Sequence, residues 1–219
     1  MNKQVWFAAI FLLLSLGIRA QSEKYQKAMA DKIGQMAGAS SADAWRDLSN
    51  AFERIGEAEK TQWLPFYYAS MSRVMAGYMI GNGQMGGFAE KTDPEADKAE
   101  ALLDKAQVIA GSNSEIWCIR KMIATLRMSA DPMNRFQTLG PKAAEALDKA
   151  RQMDPENPRV YLLEGQDKFF TPEQFGGSKA EAKVLFETCL KKAETFKPAS
   201  PLHPTWGPSQ ASYFLGQIK

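Results

Sequence analysis

The sequence predicts an all-α protein built from repeated antiparallel helix pairs, and three observations carry that expectation. No stretch alternates apolar and polar residues at period two for long enough to make a strand. A small, bulky, small spacing recurs three times, as Ala99, Leu103 and Ala106, as Ala143, Leu147 and Ala150, and as Ala182, Phe186 and Cys189. The shift is shared by a second landmark, because Ala99 to Ala143 and Trp117 to Tyr161 are both 44 residues apart. Small side chains on one face let helices approach closely, and two landmarks moving together point to one unit copied along the chain.

Residues 1–20 form the first element. Lys3 gives a positive start, residues 5–16 are a short apolar run, and Ile18-Arg19-Ala20 ends in a small residue like a cleavage site. The run falls short of the roughly 20 apolar residues a membrane span needs. The expectation is a cleaved export signal and a periplasmic or secreted mature chain of residues 21–219. Removing Lys3 and Arg19 leaves 25 basic against 25 acidic residues, so no basic footprint for nucleic acid remains.

Residues 22–59 carry apolar positions at helical spacing with Ser40, Ser41 and Asp43 as caps, and read as an opening helix pair. Repeat pairs follow over about 60–110, 113–153 and 157–196. In the first, Trp63, Tyr67, Ser70 and Val74 mark an aromatic helix, and Pro65 falls in its first turn, where proline is tolerated. A glycine-rich loop over 81–92 precedes a helix starting at Asp93-Pro94-Glu95. Gly111 and Pro155 stand at equivalent helix ends, and Asn157-Pro158 opens the next helix. Residues 197–208 hold four prolines and read as an extended connector. Residues 209–218 form a short closing helix, with Tyr213, Phe214 and Leu215 facing inward and Trp206 packing nearby; an array of helix pairs needs such an end to cover its last apolar face.

The stretch 140–165 places Ala143, Leu147, Ala150 and Pro155 on one helix and Tyr161 and Gly165 on the next. In that spacing the chain resembles the tetratricopeptide repeat family, over roughly residues 63–196. The resemblance implies an α-α superhelix, a solenoid of antiparallel helix pairs with a C-terminal capping helix. It also implies a groove lined by the first helix of each pair. Carried over position by position, the groove-facing places are Leu64, Tyr68 and Met71, then Cys118, Met122 and Thr125, then Leu162, Gln166 and Phe169. The set is apolar and poor in charge, which suits a hydrophobic peptide or helix, and methionine favours adaptable contacts. The competing expectation is that the opening pair or the closing tail folds over these residues.

The shifts of 44 and 39 residues exceed the roughly 34 residues usual for the family, and the excess lies in the turns inside each pair. Those turns, 81–92, 131–140 and 171–178, each carry one phenylalanine, Phe88, Phe136 and Phe175, along an edge that either binds a partner or plugs the gap between two helices.

Signs of catalysis are weak. Gly81, Gly83 and Gly86 match a dinucleotide-loop spacing, but a helix precedes them where that motif needs a strand. His203 is the only histidine, so the usual zinc ligand sets cannot be assembled and no metal or other cofactor is expected. Glu95, Asp97, Glu100 and Asp104 interleave with Lys98 and Lys105 as a solvated, ion-paired face. Cys118 and Cys189 fall on helices that are not neighbours in such an array, which favours two separate thiols over a bridge. The expectation is a non-catalytic exported scaffold for a peptide or protein partner, with possible peripheral association with a membrane complex. The alternatives are an accessory protein that passes a small apolar ligand to a membrane transporter and, least favoured, an unidentified hydrolase.

Overall fold

The structure, a computed structural model, describes residues 23–218; the export signal expected over 1–20 lies outside them. The described residues contain α1 (23–36), α2 (Ala42–Glu59), α3 (Leu64–Gly81), α4 (Ala89–Ala110), α5 (Ser114–Ala130), α6 (Pro132–Met153), α7 (Pro158–Phe170), a 3-10 turn (Glu173–Phe175), α8 (Lys179–Thr195) and α9 (Pro208–Gln217), and no strand. None of these helices is long and apolar enough to cross a membrane.

Local chemistry sets most helix ends. Ser41, Asn113, Asn157 and Ser178 each accept a hydrogen bond from a backbone N–H in the first turn of the following helix, which satisfies donors the helix cannot. Prolines occupy the first turn of α3, α6, α7 and α9, where the missing N–H costs no helical bond. Lys60 and Asn82 close α2 and α3 in the left-handed region.

Consecutive helices pack as antiparallel neighbours, and alternate ones also touch, α3 on α5, α5 on α7 and α7 on α9. Contact between every second helix is the signature of a stacked array, and it makes α3, α5 and α7 one inner layer with α9 at its end. The recurrent small residues sit where the array closes: Ala99, Ala106, Ala143, Ala150 and Ala182 are all buried. The all-helical superhelical arrangement expected from the sequence is the one observed.

Two turns differ from expectation. Residues 131–140 are not an open turn: α6 begins at Pro132 and runs through Pro141, held by Arg135, whose guanidinium forks onto both carboxylate oxygens of Asp93 at 2.7 Å. The glycine loop ends sooner than expected, because α4 starts at Ala89 and carries Pro94 inside it. The charged residues of α4 also pair across helices and not along their own. Arg127 reaches Asp97 and Glu100, Lys98 reaches Glu53, and Glu95 is buried between Arg46 and Arg73.

The core divides in two. A main cluster runs from Tyr25 and Met29 of α1 through the inner layer to Leu202 of the tail. A smaller one joins Leu162, Ala182, Phe186, Cys189 and Ala211 under α9. Within α9, Ala211 is buried and Phe214 and Leu215, together with Ile218 just past the helix end, pack on the smaller cluster, whereas Tyr213 points outward at 63% exposure, contrary to the inward placement expected. The helical repeat explains this, since positions 211, 214, 215 and 218 share one stripe and 213 falls off it.

Candidate functional site

The inner layer has two ends with different chemistry. At the N-terminal ends of α3, α5 and α7, the proline-rich segment 197–208 folds back across the helices. Tyr68 donates its hydroxyl to the Leu202 carbonyl at 2.9 Å, Trp206 donates its indole N–H to the Tyr67 hydroxyl at 2.8 Å, and His203 meets the edge of Trp63. Beneath this strap, Glu115 accepts from Tyr67, from Asn157 and from Arg159, whose Nε stands 2.8 Å away. Arg159 is 1% exposed and its guanidinium also lies over the Phe196 ring. Burial pushes the Glu115 carboxyl upward against the opposing pull of Arg159, and it raises the Tyr67 hydroxyl and the Cys118 thiol as well. Among the described residues, Glu115, Asn157, Arg159, Tyr67 and Tyr68 are all partnered with one another or with the strap, so this end is a closed structural junction.

The C-terminal ends present a different surface. Tyr78 of α3 donates to the Met122 carbonyl of α5, and the buried Lys121 of α5 reaches Asp167 of α7 at 2.6 Å, which fixes the register of the three helices. Thr125 Oγ1 is buried without a hydrogen-bond partner among the described residues. At the end of α7 an aromatic group gathers. Phe169 and Phe170 meet edge to face, both meet Phe214 of α9, and Phe214 stacks on Phe186 with centroids 5.2 Å apart and 15° between planes. Phe170 is 66% exposed and Tyr213 extends the group outward. Lys179 donates to the Phe169 carbonyl at 2.7 Å and lies over the Phe169 ring, which places a cation beside the aromatic platform.

The expected groove residues divide between these two ends. Leu64, Tyr68, Met71, Cys118, Met122 and Leu162 are buried, so for them an open groove is replaced by a filled one; the strap accounts for the closure at Tyr68. Thr125, Gln166 and Phe169 are half-buried toward the aromatic end. The three turn phenylalanines do not form a set. Phe88 is buried against Gly81, whereas Phe136 lies exposed on α6 and Phe175 exposed in the 3-10 turn. Cys118 and Cys189 are free, buried thiols. The aromatic end also gathers Phe170, Lys179 and Phe214, which were not among the expected groove residues. The consecutive pair Phe169-Phe170 at the end of α7, with Phe214 on a short helix behind a proline-rich connector, is the signal that was there to be read.

A shallow cleft edged by Lys32, Asp47 and Arg54 lies between α1 and α2 and shares no residue with the inner layer.

No family model matches the chain, and no curated protein matches it in sequence. Among solved structures, the HusA haemophore from Porphyromonas gingivalis is similar to it with a TM-score of 0.77 and 30% identity, over 89% of this chain and 92% of that one. A haemophore is a binding protein and not a catalyst. On that identity and coverage, the chain belongs to the family of the HusA haemophore.

Proposed function

We propose that the chain is an exported carrier of a haem-class tetrapyrrole, held at the aromatic end of the inner layer. The observation that carries the reading is the aromatic end of α7, where the half-buried Phe169 and the exposed Phe170 stand beside Lys179, in a chain similar to a haemophore. A flat conjugated macrocycle stacks on aromatic faces, and its carboxylates need a cation at the edge. His203, the only histidine, is part of the strap against Trp63 and Ser200. Binding therefore acts through the faces of the ring and not through an imidazole on the iron. In this reading the small-ligand accessory role displaces the peptide scaffold, residues 1–20 direct export, and the helix pairs are tetratricopeptide-like units serving as a frame.

Titration of the purified mature chain with haemin, followed in the Soret band, tests it. Saturable binding is expected, with metal-free protoporphyrin bound comparably. Phe170→Glu should weaken both about tenfold or more, equivalent to about 1.4 kcal/mol, with unchanged helical circular dichroism because Phe170 is exposed. Absence of saturable binding removes the reading, and an unaffected Phe170→Glu moves the site elsewhere.

A further inference from the structure

Resting on that reading, we infer that α9 is a displaceable lid, and that its Phe214 ring holds the place against Phe169, Phe170 and Phe186 that the bound macrocycle takes. Apolar packing holds α9 down. Among the described residues, no side-chain hydrogen bond or ion pair joins residues 208–218 to the rest of the chain. The contacts are the buried Ala211 and the packing of Phe214, Leu215 and Ile218 on the smaller cluster. Contacts of that kind are what a flat apolar ligand offers in return, so ligand and helix compete for one surface by the same chemistry.

The connection permits the movement. Trp206 is latched to Tyr67, and Leu202 is buried in the main core, so the strap is anchored independently of α9. Between strap and helix stands Gly207 at φ +119, ψ −50, a conformation reserved for glycine, followed at once by Pro208. A rigid, anchored segment, one permissive residue and a ten-residue helix held only by apolar packing make a hinge with a small lever. The site then resists solvent when empty, because Phe214 fills it, and opens without disturbing Glu115, Arg159 or the strap.

Hydrogen exchange on the full mature chain, without and with haemin, tests the inference. Without ligand, α9 amides should exchange about a hundredfold faster than those in the middle of α5, because α9 opens sub-globally. Protection of α9 equal to that of α5 overturns the lid, whatever haemin does. With haemin bound, α9 should exchange faster still while the end of α7 slows; unchanged or slower α9 exchange makes it a fixed cap. Phe214→Ala, or Phe214→Leu if the first fails to fold, should raise the haemin association rate about tenfold, since less of the protein sits closed. An unchanged or lower rate also overturns the lid. Failure of haemin to bind the unaltered chain rejects the carrier reading alone, because the ligand-free arm still decides whether α9 opens.

Discussion

Gly165 shows how closely single residues are fitted. A Cβ built there would lie 2.6 Å from Cε1 of Phe186, a fully buried ring on which Phe214 is stacked. Gly165→Ala should therefore cost about 1–3 kcal/mol of stability by overpacking, measurable in denaturant unfolding. The buried pair Arg159 and Glu115 predicts a larger effect. Glu115→Ala leaves a guanidinium that is 1% exposed without its carboxylate, and should cost about 3–5 kcal/mol. Replacing both residues together should be much milder, since the cost comes from the orphaned charge. Near-equal losses in the single and double variants would show that the pair is not the source.

At the scale of elements, the strap carries a pH dependence. Burial lowers the His203 pKa below its ordinary 6.5, so the folded strap favours the neutral imidazole. A base with a depressed folded pKa contributes stability above its unfolded pKa and loses it as pH falls toward the folded value. The strap should therefore loosen as pH drops below 6.5. Its signature is a change in tryptophan emission, because Trp206 and Trp63 both touch it. His203→Phe should abolish that component while leaving emission at pH 8 close to the original; a persistent transition would assign it to another group.

Over the whole molecule, the array was legible in the sequence because its cause is local. Ala143, Leu147 and Ala150 are one helical face, and that face is buried wherever the unit repeats. Gly165 was legible as a position and gains its reason only from Phe186, which lies on another helix. The filling of the groove was less accessible, since it depends on Tyr68 meeting Leu202 across 134 residues, a contact that no local spacing encodes. Residues 131–140 misled for a related reason. Phe136 and two flanking prolines suggest a turn, and the fork of Arg135 on Asp93, 42 residues away, makes it helix. The aromatic end was hidden by its own makeup, because Phe169, Phe186 and Phe214 come from three helices and converge only after the array has stacked.

The two free cysteines are divided between the two cores, Cys118 in the main one and Cys189 in the smaller. Burial raises both thiols, Cys189 to about 11, so neither is attacked until its surroundings part. A thiol-modifying reagent added to the native protein should mark Cys189 well before Cys118, with mass spectrometry assigning each adduct. The chain thus carries its own pair of stopwatches, one started by a breach near the C-terminus and the other only by loss of the whole interior.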